Sequence, residues 1–180
     1  RLESGFDPGA RAKTSSATGL FQFIDATWLR MVDRHGAALG LQGLSRADAL
    51  VLRRDPVVAS ELAARHMAEN AQALEGALGR AATQTDLYLA HFLGLGGATR
   101  FLRGLAARPE QAGEALLPAA ARANPAIFRG PGGARSLSEI HALLEARLQG
   151  GGQAAGALAG GGSALAQAIS TALEQFPTLV

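Results

Sequence analysis

The 180-residue chain has no cysteine. Disulfide frameworks, thiolate metal sites and thiol nucleophiles are therefore excluded. Lysine is almost missing as well: Lys13 stands alone, and every other basic residue counted is an arginine. Seventeen basic and fifteen acidic residues interleave along the chain. No block of like charge forms, so the sequence offers no stripe for nucleic acid. No apolar run is long enough to cross a membrane. The first residue is Arg1 rather than Met, and no signal-peptide pattern follows it. The expectation is a processed or trimmed end from which any export signal has gone.

What the chain does contain is alanine and leucine, 39 and 27 of them. These are strong helix formers, whereas the β-branched residues that favour strands are few. With 48% hydrophobic residues there is material for a real core. No segment sustains a period of two, so an all-α fold is expected.

Punctuation divides the chain into helices. Thr14–Gly19 is small and polar and reads as a loop, and Asp7-Pro8-Gly9 as a turn. From about Leu20, Phe23, Ile24, Thr27, Trp28, Met31 and Val32 recur at helical spacing, with Trp28 on the core side, until Gly36. Ser45-Arg46-Ala47-Asp48 looks like a capping box and opens a short helix through Arg53. Asp55-Pro56 starts a helix that Gly79 ends. Thr83-Gln84-Thr85-Asp86 opens another, which Gly94-Leu95-Gly96-Gly97 breaks before it resumes around Ala98–Leu105. Pro109 and Pro118 each start a short helix, Asn124-Pro125 and Gly130–Gly133 are turns, and Ser136–Glu139 caps a helix to Gln149. Composition changes at Gly150: residues 150–180 hold seven glycines and a single charge, Glu174. One domain over 1–149 is expected, then a Gly/Ala-rich linker and a weak terminal helix over Ser163–Gln175.

Most carboxylates occupy helix starts or polar faces and read as caps and solvated groups. Asp48, Asp55, Asp86 and Glu139 are of the first kind, and Glu69, Glu75 and Glu114 of the second. Glu3 differs: it stands where a helix stub meets a loop, close to Phe6. An acid in apolar surroundings keeps its proton to higher pH and can act as a general acid.

Around Glu3 lies a longer pattern. Glu3-Ser4-Gly5-Phe6-Asp7-Pro8 is followed by Ser15-Ser16-Ala17-Thr18-Gly19-Leu20-Phe21-Gln22 and then by Thr27. This resembles the opening of the lysozyme-like soluble lytic transglycosylase family. Ser16 stands where the family has glycine, Phe21 where it has methionine, and Asp25 where proline is usual. The counterpart of its later Ala-Tyr-Asn-Ala-Gly element is Ala90-His91-Phe92-Leu93-Gly94. Here His91 replaces the tyrosine that hydrogen-bonds the acid in the family, and Phe92 replaces the asparagine. The resemblance covers roughly residues 1–105. Only Arg1 and Leu2 precede Glu3, whereas in the family a helix leads up to the acid.

The resemblance implies a lysozyme-like fold and cleavage of the bond between N-acetylmuramic acid and N-acetylglucosamine in peptidoglycan, leaving a 1,6-anhydro end. It implies Glu3 as the catalytic acid, with Ser4, Ser15, Phe21 and Gln22 along the sugar groove and His91 or Tyr88 as partner of the acid. Ser4 and Ser15 read equally as turn hydroxyls, and Phe21 equally as core filling. A conventional glycosidase needs a second carboxylate. Asp7 and Asp25 are the nearby ones, read respectively as a turn residue and a helix-dipole residue. No cofactor is implied, and His35, His66 and His141 are too scattered in sequence to suggest a metal site. Peptidoglycan strands as partner place the protein in the periplasm or cell envelope, with the tail as a tether to a larger assembly. The alternatives are a goose-type lysozyme-like hydrolase and a peptidoglycan-binding domain with impaired catalysis.

Overall fold

The computed structural model describes Phe21 and residues 23–156, for residues 150–156 the backbone only. The expected turn at Asp7, the loop over Thr14–Gly19 and the terminal helix over Ser163–Gln175 lie outside the described residues. The fold is all-α. Two compact units divide between Glu69 and Asn70, so the span 1–149 holds two cores.

The first unit contains α1 (Asp25–His35), a 3-10 turn over Gly36–Leu39, α2 (Arg46–Val51), a second 3-10 turn over Leu52–Arg54, and the first part of α3 (Pro56–Leu78). Its core is Phe23, Trp28, Met31, Ala59, Leu62 and Ala63. Trp28 is fully buried, and its indole N–H donates to the Ala49 carbonyl at 2.6 Å. That bond satisfies the one polar atom of a large apolar side chain. Helix α1 starts at Asp25, later than the expected Leu20. Ile24 is extended at φ −73°, ψ 154°, and Phe23 before it points into the core. Packing of that ring overrides the helical periodicity. Ser45 caps α2 by accepting from the Asp48 N–H, and Asp55 caps α3 by accepting from Val57 and Val58.

The second unit holds the end of α3, α4 (Gln84–Ala107), α5 (Gly113–Leu116), α6 (Pro118–Ala123), α7 (Pro125–Phe128) and α8 (Leu137–Gly156). Its core gathers Leu74, Tyr88, Leu89, Phe92, Phe101, Phe128, Leu137, Ile140 and Leu144. Thr83 and Asp86 form a reciprocal capping box at the start of α4. Gly94, at φ 70° and ψ 162°, divides α4 into two segments, a conformation that glycine adopts without a Cβ penalty.

Three expectations need correction here. No helix starts at Pro109; α5 begins at Gly113, because Pro109 and Gln111 give their carbonyls to the Ser138 and Leu137 amides. Asn124-Pro125 is not a plain turn but the start of one-turn helix α7, with Pro125 at its first position. The expected turn at Gly130–Gly133 is present: Pro131 and Gly132 turn the chain between β1 (Arg129–Gly130) and β2 (Gly133–Ala134), a two-residue antiparallel ladder. Finally, α8 does not end at Gln149 but runs through Gly156. Extending an established helix needs no new nucleus, so glycines can be carried along.

Candidate functional site

Of the residues singled out from the sequence, Glu3, Ser4, Ser15 and Gln22 lie outside the described residues. Phe21, Tyr88 and His91 lie within them. Phe21 sits in a turn, half-buried, and packs against the core of the first unit. The core-filling role is thus visible for this ring.

The segment that follows Gln22 is firmly anchored. Arg53 is 8% exposed. Its Nη1 donates to the Phe23 carbonyl at 3.0 Å and lies 2.8 Å from Asp25 Oδ1. Its Nε donates to the Leu50 carbonyl at 3.3 Å. One guanidinium thereby joins the strand-like residues before α1, the first residue of α1 and the end of α2. Asp25, expected to favour the helix dipole, does stand in the first turn of α1, and it pairs with Arg53 as well. Nothing in the sequence spacing singles out Arg53 for this task. The Phe23 ring lies 5.5 Å from Trp28 and 5.9 Å from His66, centroid to centroid. Burial, and then the Arg30 charge, hold His66 below the usual imidazole range, with Glu69 opposing. His66 is therefore a neutral ring near pH 7.

In the second unit, Tyr88 and His91 stand one helical turn apart on α4. Tyr88 is 1% exposed and stacks on Phe92, with centroids 6.2 Å apart and planes within 5°. Burial pushes its hydroxyl far above the usual phenol range, and the Arg147 charge offsets this only in part. Tyr88 thus keeps its proton at any physiological pH and can serve as a hydrogen-bond donor. His91 is half-buried. Phe92 is a core residue at 4% exposure. Gly94 then breaks the helix.

His35 bonds Glu69 through Nε2 at 2.8 Å, and Arg34 donates to the same carboxylate at 2.9 Å. The Arg34 hydrogen bond, aided by His35, lowers the Glu69 pKa. This cluster reads as a solvated ion pair, in keeping with the polar-face assignment of Glu69. Among the described residues, no group of three histidine or acidic side chains could hold a metal ion. No helix there is long and apolar enough to cross a membrane. No protein-family model matches the chain.

Proposed function

We propose that the chain is a peptidoglycan lytic transglycosylase with Glu3 as its catalytic acid. The observation that carries this reading is the paired pattern Glu3-Ser4 and Ser15–Gln22 at linked spacing. Two structural features support it. The fold is all-α, in keeping with the helical domain that the resemblance implies, and α4 breaks at Gly94, the glycine that ends the counterpart of the family's later motif.

The chemistry needs only one carboxylate. Protonated Glu3 donates to the glycosidic oxygen as the bond to the muramic anomeric carbon breaks. The acetamido oxygen of the same sugar stabilises the positive charge, as in substrate-assisted glycosidases that dispense with an enzyme nucleophile. The resulting Glu3 carboxylate removes the proton from the carbon-6 hydroxyl. That oxygen closes onto the anomeric carbon and leaves the 1,6-anhydro ring, with Glu3 protonated again. Proton transfer of this kind supplies about 10²–10⁴-fold, and orientation of the sugar supplies the rest. Ser4, Ser15 and Gln22 are the polar groups assigned to the sugar. The proposed substrate is the ground for assigning the enzyme to the periplasm or cell envelope.

A second reading has one specific observation behind it. Phe92 fills the core where the family carries asparagine, which favours a peptidoglycan-binding domain with impaired catalysis. Glu3→Gln separates the two. The variant keeps the carboxyl's shape and loses its acid. Loss of turnover on purified peptidoglycan, with sedimentation onto insoluble wall retained, supports the enzyme. Equal turnover by both proteins removes Glu3 from the mechanism, and absence of turnover in the unmodified chain favours the binding domain.

A further inference from the structure

On the second unit, the end of α3 and the second segment of α4 border an open groove of about 580 Å³. This lies within the usual range of small-ligand sites, roughly 300–1,000 Å³. Its apolar lining is Ala73 and Ala77 from α3 with Leu95 and Gly96 from α4. Gly96, Thr99, Arg100 and Arg103 recur at three and four and so share one helix face.

The charges in this groove are one-sided. Among the described residues, no carboxylate lines it. Arg100 is exposed and makes no hydrogen bond or ion pair among the described residues. Arg103 donates to the Ala77 carbonyl from Nη2 at 3.0 Å and has no acidic partner among the described residues. That bond ends the travel of a long side chain and holds its charge over the groove. Thr99 donates its proton to the Leu95 carbonyl at 2.8 Å, which leaves its oxygen as an acceptor. The groove therefore presents two cations, one acceptor and an apolar lining of alanine methyls and the Leu95 side chain.

We propose that this groove binds the stem peptide of peptidoglycan, a short peptide with alanine methyls and free carboxylates. The inference rests on the proposed function for the choice of occupant. Complementarity carries it: methyl groups meet the apolar lining, carboxylates meet Arg100 and Arg103, and a backbone N–H meets Thr99. Guanidinium–carboxylate hydrogen bonds are among the stronger polar contacts, and an open groove needs them to hold a small ligand.

The test uses the full chain and the free stem tetrapeptide, with binding followed by calorimetry. Ala73→Glu places a carboxylate in the groove, and Arg100→Gln removes its free cation. Both positions are exposed, and the new side chains suit a helix. Gln72→Glu makes the same charge change at an exposed neighbour outside the lining. The expected result is saturable binding, weakened about tenfold or more by the first two variants and unchanged by the third. Absence of binding overturns the proposal, as does an equal loss in all three variants or none in Ala73→Glu. Cleavage of peptide-free glycan strands is read in parallel. Strands cleaved with no peptide bound sink the groove and leave the enzyme; peptide bound with no strand cleaved does the reverse.

Discussion

Arg53 and Asp25 meet at 2.8 Å, Nη1 to Oδ1, and the same nitrogen reaches the Phe23 carbonyl. The pair fixes the entry to α1, the stretch that directly follows Gln22. The Asp25 side chain remains partly open to solvent, at 32% exposure, whereas the Arg53 side chain is enclosed. Its loss takes this charged donor from the Phe23 carbonyl.

Arg53→Met is accordingly expected to destabilise the chain by about 2 kcal/mol, the scale of a hydrogen bond from a charged donor. Urea denaturation checks this. The fall in midpoint should come without a change in slope, since the compactness of the unfolded chain is not altered. If Gln22 contributes to substrate binding, KM should rise in the same variant while the fold persists.

Asp86 gives a pH signature. Burial raises its carboxyl, but the Arg80 hydrogen bonds and the Thr83 N–H outweigh this, and the net pKa is lowered. Arg80 Nη1 lies 2.6 Å from Oδ2, and the Thr83 N–H donates to that oxygen at 2.8 Å. An acid depressed in the folded state stabilises fully above its unfolded pKa, near 3.9. That stability disappears as pH falls through the folded value. Asp86→Asn should therefore cost about 1 kcal/mol at neutral pH, allowing for the half-exposed Arg80. The gap from the unmodified chain should close below about pH 4. Denaturation midpoints across pH measure it.

Gly113 is packed too closely for a side chain. A Cβ there would run into Ile140 Cδ1 and lie 3.2 Å from Phe128 Cδ1, and both neighbours are buried. Gly113→Ala is expected to destabilise by about 1–3 kcal/mol through overpacking, despite the higher helix propensity of alanine. A thermal midpoint at or above that of the unmodified chain would contradict this packing.

The punctuation that could be read without coordinates is local. Asp55-Pro56 and Gly79 bound α3, and Thr83 with Asp86 opens α4, because caps act within one turn of the residues they serve. The misread elements depend on distant partners. Helix α7 forms where Arg135 Nη1 donates to the Ala126 and Ile127 carbonyls, satisfying acceptors that a short helix leaves bare. The turn at Pro109 persists because α8 begins by donating back to it. Arg53 is one of sixteen arginines in the sequence, and only its burial shows its task. For the site, the sequence left Phe21 open between groove wall and core filling, while Tyr88 and Phe92 owe their positions to a core assembled from α3, α4, α7 and α8.

Position 91 offers a test that the fold can tolerate, since His91 is half-buried rather than a core residue. The resemblance gives this position a tyrosine that serves the acid. His91→Tyr should retain turnover. His91→Phe, similar in shape but with no polar atom on the ring, should lower kcat about 10²-fold with KM little changed. Equal losses in the two variants would show that the ring, not its hydrogen bond, matters.

The most direct measurement is the chemistry of the chain ends released from purified peptidoglycan, read by mass spectrometry before and after borohydride treatment. The account predicts 1,6-anhydro-muramic ends, lighter than hydrolysis products by one water and untouched by borohydride. Reducible muramic ends would contradict it and point to a hydrolase.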